Sequence, residues 1–298
     1  MFSQKERKTF PKPKKTPLNL FLRQKAKTLN RLFITKEKID LKKSFSKPYH
    51  ILFSKKEIWN DIILKSFKRT LIEVHFEEFT HSDFSKYDLV VPLVVSDLLI
   101  CIDRKAELRN QIIPIPSLDA FNICNNKLEF SRILSENGLN DFIPKTGNSL
   151  NYPYILKKET GEYGKTTFVI NNNEEESMHK ELLNDGKHFK QELIKGNKEY
   201  ASHIVFKNGK IASHTRICYT YDRELYVQGK LIYVSKAICI PKFEAEFTKV
   251  LSAINYEGLC CIDYKVKDGL PKIFEINPRF GGSLTDYFFS VLAKSEAS

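Results

Sequence analysis

Short apolar runs with the spacing of strands alternate with helical spacing between residues 48 and 116. Strands are predicted in YHILFS, LIEVHFEEF, YDLVVPLVV and IIPIPS, and a helix is predicted in EIWNDIILKSFKR. This pattern favours a small parallel α/β module, because a helix returns the chain to the start of the next parallel strand. We interpret the run LVVPLVVSDLLICI as buried strand and turn, since Pro92, Ser96 and Asp97 interrupt it.

From residue 118 onward the pattern changes to helix followed by strand-rich segments. The segment LDAFNICNNKLEFSRILSENGL predicts one helix that ends at Gly138. Strands are predicted in YPYILKKE and TTFVIN, followed by a helix near 174–185 and a strand in FKQELIKG. Two hairpins are predicted from turn dipeptides between strand-like runs, at Asn208-Gly209 and Asp268-Gly269.

Positive charge is concentrated at the N-terminus. Residues 1–48 contain 15 Lys/Arg and 3 Asp/Glu, whereas the rest of the chain contains 33 of each sign. The first part, KERKTFPKPKKTP, is predicted to be disordered. The segment LNLFLRQKAKTLNRLF predicts a basic amphipathic helix that packs on its own domain, lies on an anionic membrane or contacts nucleic acid. Its apolar positions are Leu18, Phe21, Leu22, Leu29, Leu32 and Phe33.

Several classes of protein are disfavoured by composition. No run of about 18 apolar residues, as a membrane span needs, is present, and the N-terminus lacks a secretory apolar segment. The six cysteines form no CxxC pair and the histidines show no HExxH spacing. We therefore expect core thiols in a reducing compartment.

The stretch IFEINPRFGGS carries a row of polar side chains within an apolar strand. If the hairpin turns at Asp268-Gly269, Asp263 falls opposite Phe274 or Glu275, and strand alternation puts Glu275 and Asn277 on one face. Two carboxylates that close repel each other unless a cation lies between them. Oxygen ligands of this kind suit Mg²⁺, and Arg279, one step further, could clamp a phosphoryl oxygen.

CIDY and IFEINPRFGGS together resemble the metal-binding end of the ATP-grasp superfamily, and EINPRFGGS is similar to its carbamoyl-phosphate-synthetase-like branch. The resemblance covers about residues 118–285. It implies an α/β fold in which a small parallel N-terminal module precedes a two-lobed ATP-grasp domain, whose antiparallel sheets sandwich the nucleotide. The expected divisions are a basic arm at 1–48, the N-terminal module at 49–117, the small lobe at 118–190 and the large lobe at 191–298.

The resemblance also implies nucleotide contacts along the chain. Lys127 and Lys157 match two phosphate-contacting lysines, the second on a strand leading to a glycine-containing flap. Within QELIKGNKEY, the adenine would contact Gln191, Glu192, Leu193 and Ile194, and the ribose hydroxyls would donate to Glu199. The flap, KETGEYGKTT, is shorter and poorer in glycine than the family pattern.

The activity implied by the resemblance is ATP-dependent carboxylate–amine ligation through an acylphosphate. ATP and Mg²⁺ (or Mn²⁺) are the expected cofactors, with Asp263, Glu275 and Asn277 as metal ligands. Arg279 and Arg216 are expected to stabilise the transferred phosphoryl group. By strand alternation His214 shares a face with Arg216, and a structural histidine is the more common interpretation.

The substrates are expected to be a carboxylate and an amine, small or polymer-linked, such as a cell-surface glycan or peptide precursor. Residues 1–48 suggest contact with an anionic membrane, whereas nucleic acid is the partner least favoured. The expected location is cytoplasmic, at the inner membrane face if the arm binds lipid. Two alternatives stay open: phosphoryl transfer without an amine acceptor, and a degenerate ATP-binding scaffold that uses its arm to bind a partner.

Overall fold

The computed structural model describes residues 16–108, 111–161, 166–227 and 231–295. The first part of the basic arm and the tip of the flap lie outside these residues. The helices are α1 Pro17–Ser44, α2 Glu57–Ser66, α3 Val95–Asp103, α4 Lys105–Leu108, α5 Leu118–Asn125, α6 Lys127–Glu136, α7 Asn173–Met178, α8 Lys180–Leu183, α9 Glu244–Ala253 and α10 Phe289–Ser295. The strands are β1 Tyr49–Ser54, β2 Ile72–Glu77, β3 Leu89–Val91, β4 Tyr154–Lys158, β5 Thr167–Ile170, β6 His188–Glu192, β7 Lys198–Lys207, β8 Lys210–Thr220, β9 Ser235–Cys239, β10 Gly258–Lys267 and β11 Leu270–Asn277.

The N-terminal module has a parallel sheet of order β2-β1-β3, which confirms the predicted α/β class. The apolar run 89–102 differs from its prediction. Only Leu89–Val91 form a strand, and α3 begins at Val95. Pro92 cannot donate to a ladder, so it ends the strand, and Leu98 and Cys101 bury one face of the new helix. The segment IIPIPS adds only a bridge between Ile112 and Val90.

A five-stranded antiparallel sheet of order β11-β10-β7-β8-β9 forms the second layer. Both predicted turns are present: Asn208-Gly209 and Asp268-Gly269 each have two positive φ angles, as type I′ turns require. One face of this sheet packs against α9 through Phe247 and Tyr264. The other face packs in part against the N-terminal module and α10.

The third sheet is antiparallel and has three strands in the order β5-β4-β6. The helix predicted at 118–139 is two helices, because it breaks at Asn126. The Asn126 side chain accepts hydrogen bonds from the backbone N–H groups of Leu128 and Glu129 and so begins α6. The helix predicted near 174–185 is also split, at His179, into α7 and α8.

Helix α1 is longer than predicted and packs on β9 and α10. Its inner face is mixed. Ala26 and Leu41 are buried, Arg23 Nε donates to Val234 O at 2.9 Å, and the Asn30 amide bonds both Lys236 O and Ile238 N. These bonds cover the outer edge of the sheet, which would otherwise present unpaired backbone groups. Within the described residues, no helix combines the length and apolar character that crossing a membrane requires.

Candidate active site

The predicted polar hairpin lies between the two antiparallel sheets. Asp263 pairs with Glu275, the second of its two predicted partners, because the ladder slips by one residue at this point. The next pair joins Tyr264 to Ile273, so Phe274 is the extra residue of a β-bulge. The bulge frees the Phe274 carbonyl from the ladder and brings both carboxylates to the same side of the hairpin.

Asp263, Glu275 and Asn277 form one cluster. The Asn277 amide nitrogen donates to Asp263 Oδ2 at 3.0 Å and to Glu275 Oε1 at 3.3 Å. Burial, together with repulsion from Glu275 and Glu199, raises the pKa of Asp263 well above its ordinary value. Burial alone would also raise the pKa of Glu275, but Lys127 and Lys157 hold it below its ordinary value. The cluster is thus short of positive charge at Asp263.

Two lysines approach Glu275 from different elements. Lys127 is the first residue of α6, and its Nζ lies 3.0 Å from Glu275 Oε2 and donates to Gly161 O at 2.9 Å. Lys157 lies on β4, and its Nζ donates at 3.1 Å to the Phe274 carbonyl that the bulge exposes. Burial lowers the pKa of Lys157 to about 7, although Glu275 opposes this change. The structure therefore brings both predicted lysines to the predicted metal cluster.

A cavity of about 490 Å³ opens beside this cluster, within the range of small-molecule sites. Both lysines, the three cluster residues and Arg279 line it. The predicted hinge segment, Gln191 to Ile194, lines it as well. Lys158, Thr160, Gly161, Thr166 and Thr167 flank the part of the flap that lies outside the described residues, and they also face this cavity.

Glu199 is buried at the cavity wall next to a lysine that the sequence reasoning missed. Its Oε1 has no hydrogen-bond partner of ordinary geometry among the described residues. Burial raises the pKa of Glu199 to about 7, while Lys265 opposes the change. Lys265 donates to Ile194 O at 3.1 Å, and burial lowers its pKa to about 8. The missed signal was its position two residues after Asp263, on the same face of β10.

The residues after β11 make unusually close contacts. A Cβ added to Gly281 would lie 2.6 Å from His203 Cε1, and one added to Gly282 would lie 2.9 Å from Trp59 Cζ2. Arg279 is buried and donates to the Phe280 carbonyl at 3.1 Å. Gly281 therefore allows the chain to pass close to β7, and Gly282 allows it to pack against α2 of the N-terminal module.

Arg216 does not lie in this cavity, which corrects the catalytic role predicted for it. It faces the other side of the sheet, where Nε donates to the Tyr264 hydroxyl at 2.7 Å and the guanidinium stacks 4.0 Å from the Tyr200 ring centroid. His214 shares that face as predicted and bonds Ser202 and Glu244. Both side chains hold α9 and the sheet together rather than face the cluster.

The donor set fits a hard divalent cation. The carboxylates of Glu199 and Asp263 are buried and that of Glu275 is partly buried, and the pKa of Asp263 is raised in part by the other two. A cation between them would relieve that repulsion, and oxygen ligands are those that Mg²⁺ and Mn²⁺ accept. The lysines beside the cluster provide the positive charge that phosphate groups require.

Comparison with known proteins agrees with this geometry. The ATP-grasp domain family matches residues 124–283. A similar fold occurs in D-alanine–D-alanine ligase from Bacillus anthracis, with 14% identity over 85% of this chain and 92% of that chain and a TM-score of 0.54. Another occurs in L-amino acid ligase from Bacillus licheniformis, with 16% identity over 83% of this chain and 71% of that chain and a TM-score of 0.56. Phosphoribosylamine–glycine ligase from Thermotoga maritima is also similar, with 17% identity over 80% of this chain and 70% of that chain and a TM-score of 0.57.

At these identities the likeness establishes the fold. No curated protein sequence matches the chain. The family match spans more than half of the chain and includes Lys127, Lys157 and the whole polar hairpin. The chain belongs to the ATP-grasp family.

Proposed function

We propose that this protein is an ATP-dependent carboxylate–amine ligase. The observation that carries the proposal is the cluster of Asp263, Glu275 and Asn277, which lines one cavity together with two lysines. When bound, Mg-ATP supplies a γ-phosphoryl group that converts the substrate carboxylate to an acylphosphate, from which an amine displaces phosphate to form an amide. ATP-grasp ligases use these cofactors, and one structure of this fold is an ATP complex.

The three cluster residues would hold Mg²⁺ or Mn²⁺. Asp263 and Glu275 are the anionic ligands, and a rotation of the Asn277 amide would present its oxygen instead of its nitrogen. Lys127 already touches Glu275, so a bound cation and the phosphates would draw its ammonium group away from that carboxylate. The contacts of Lys127 and Asn277 with the two carboxylates would thereby be replaced by contacts with the nucleotide and the metal.

Nucleotide recognition is assigned to the two lysines beside the cluster and to other residues that line the cavity. Lys127 and Lys157 would contact the phosphates, and Gln191, Glu192, Leu193 and Ile194 would surround the adenine. Glu199 would accept hydrogen bonds from the ribose hydroxyls through its unpartnered oxygen. Lys265 would favour the ionised form of Glu199 and fix the Ile194 carbonyl.

Arg279 is assigned to charge that develops on the transferred phosphoryl group. It is buried and lines the cavity one step beyond the metal ligands. A planar guanidinium can bind two phosphoryl oxygens at once, which favours the transition state over the ground state if charge increases there. Arg216 has no part in this proposal, because it lies on the other face of the sheet.

The test is Mg²⁺-dependent ADP release with pools of amino acids, peptides and sugar acids. Turnover should appear only with a carboxylate–amine pair. Glu275→Gln should reduce it at least about 10²-fold, because the variant loses one anionic metal ligand. Glu174→Gln, at an exposed position outside the cavity, serves as the matched control.

Other results would refute the ligase. Phosphate transfer that ignores the amine and yields a phosphorylated product would establish the alternative phosphoryl-transfer activity. ATP binding without turnover in any pool would favour the degenerate scaffold. ADP release that persists unchanged in Glu275→Gln would contradict the assignment of the site itself.

We also propose that α1 binds an anionic membrane and so brings the enzyme to a lipid-linked or polymeric acceptor, such as a glycan or peptide precursor. The helix packs on the domain through a mixed polar and apolar face, yet it leaves Leu18, Phe21, Leu29 and Leu32 between 43% and 65% exposed. Residues 1–48 carry 15 Lys/Arg against 3 Asp/Glu. An apolar stripe with basic neighbours has the character of an interfacial helix.

Vesicle binding tests this partner. Phe21→Ser with Leu32→Ser should weaken binding to anionic vesicles by at least about tenfold, since each buried side chain contributes about 1.5–3 kcal/mol. Ile58→Ser with Ile240→Ser changes two residues that are also exposed and should leave binding unchanged. Equal binding by both variants, or salt-sensitive binding to nucleic acid instead, would refute the membrane assignment.

A further inference from the structure

A second group of metal-ligating side chains lies in the N-terminal module. His50 on β1 pairs in the parallel register with Glu73 on β2, and Leu52 pairs with His75. Paired residues share a face of the sheet, and residues two apart on a strand share it as well. His50, Glu73 and His75 therefore converge on one face, and none of them lines the active-site cavity.

Two of the three distances within this group are close to the edges of a metal tetrahedron. His50 Nδ1 lies 3.3 Å from His75 Nε2 and 3.5 Å from Glu73 Oε2. All three ligand atoms lie within 4.8 Å of one another. Zinc–nitrogen bonds of about 2.0–2.1 Å in tetrahedral geometry place neighbouring ligand atoms about 3.3–3.4 Å apart. The side chains already have nearly the spacing that coordination requires.

Neighbouring residues hold the first histidine in place. The His50 backbone N–H donates to Asp88 Oδ2 at 2.7 Å, so the start of β1 is fixed to the residue that precedes β3. The Tyr87 ring lies 5.3 Å from the His75 ring. The Tyr87 hydroxyl is bonded to Glu77, so it does not compete for the same position. Water can complete the coordination, since the His50 and Glu73 side chains are 40% and 57% exposed.

We propose that His50, Glu73 and His75 form a binding site for a divalent transition-metal ion of the zinc type. Two imidazoles and one carboxylate select such ions over Mg²⁺, which prefers oxygen ligands throughout. The site is therefore chemically distinct from the Asp263–Glu275–Asn277 cluster. A bound ion would link the edge strand β2 to β1 near the N-terminal ends of both strands.

Without the ion, the two histidine nitrogens at 3.3 Å share at most one proton, as an N–H···N hydrogen bond. Metal binding requires a lone pair from each ring, so that proton moves to the other nitrogen of its ring or leaves to solvent. The carboxylate of Glu73 supplies negative charge to the ion. No further reactant is needed.

The test is Zn²⁺ and Co²⁺ titration of the full-length chain in excess Mg²⁺, which occupies the active-site carboxylates. Calorimetry should show one Zn²⁺ per chain, and Co²⁺ should give the visible absorption of a site with nitrogen ligands. His50→Ala and His75→Ala should each weaken Zn²⁺ binding at least about tenfold. His81→Ala changes an exposed histidine outside the group and should bind as the wild type does.

Two results would overturn the proposal. One is the absence of saturable Zn²⁺ binding to the wild-type chain. The other is an unchanged affinity in the double variant His50→Ala with His75→Ala. Circular dichroism of each variant confirms folding, and Glu275→Gln should retain Zn²⁺ binding even if the proposed ligase function proves wrong.

Discussion

Lys157 offers the sharpest test of the site, because its burial has a cost that can be measured without a substrate. Burial lowers its pKa from the 10.5 of an ordinary lysine to about 7. At about 1.4 kcal/mol per pH unit, keeping this lysine charged in the folded chain costs roughly 5 kcal/mol. The hydrogen bond to Phe274 O offsets only about 1–3 kcal/mol. Without nucleotide, Lys157 should therefore destabilise the fold.

The lowered pKa of Lys157 determines how the free energy of unfolding changes with pH. Between pH 7 and 10.5 the unfolded chain keeps the proton of this lysine whereas the folded chain has lost it. The unfolded state thus binds more protons, and the free energy of unfolding rises with pH through this window, by up to about 1.4 kcal/mol per unit. Below pH 7 both states are protonated, and the full cost is present.

Lys157→Met should remove this slope and stabilise the nucleotide-free chain by about 1–3 kcal/mol at pH 7, after allowance for the lost hydrogen bond. Urea denaturation from pH 6 to 9.5 measures both quantities. Glu199 and Lys265 also titrate between the folded and unfolded states, but they are common to both proteins, so the difference curve isolates Lys157. Lys207→Met, at an exposed position, is the control.

The same variant should lose affinity for ATP, since the phosphates lose a charged partner. A protein that is more stable yet no longer binds ATP would show that the lysine is kept for function. If Lys157→Met is less stable at every pH, or keeps the wild-type slope, then the charge of Lys157 is not desolvated as the structure indicates.

Three further substitutions separate positioning from chemistry. Asn126→Ala should cost about 1 kcal/mol of stability and raise the KM for ATP, because Asn126 begins the helix that places Lys127; Asn172→Ala, which removes the cap of α7, should leave the KM unchanged. Arg216→Met should lower stability by about 1–3 kcal/mol without changing kcat/KM, in contrast to a catalytic arginine. Gly282→Ala should cost about 1–3 kcal/mol by overpacking, and Trp59→Leu should relieve part of that loss in urea denaturation.

The polar hairpin was predictable because its information is local. Alternation and the Asp268-Gly269 turn together placed Asp263 opposite one of two residues, Phe274 or Glu275. The β-bulge decided between them, and a bulge leaves little trace in a single sequence. The break at Asn126 was missed for a related reason. The helical spacing of apolar residues continues through Asn126, so the pattern predicts one helix. The preference of a single asparagine for the N-cap position is too weak a signal to predict a break there.

Arg216 shows where alternation stops being informative. The pattern correctly grouped it with His214 on one face of β8, yet both faces of that strand are buried. When both faces are covered, the sequence does not reveal which one meets the ligand and which meets a helix. That choice depends on where α9 and the small sheet pack, which is set by contacts distant in sequence.

The glycine pair connects chemistry to architecture. Glu275 and Asn277 lie at the end of β11 and line the cavity. The chain that follows packs against the N-terminal module. Gly282 allows the backbone to approach Trp59, and Phe280 packs at 6.2 Å, edge to face, against Phe53 of β1. The polar hairpin is thus joined to the N-terminal module by a shared apolar core. Because a misplacement of about 1 Å lowers catalytic rates steeply, packing at this junction should control activity as strongly as the ligands themselves.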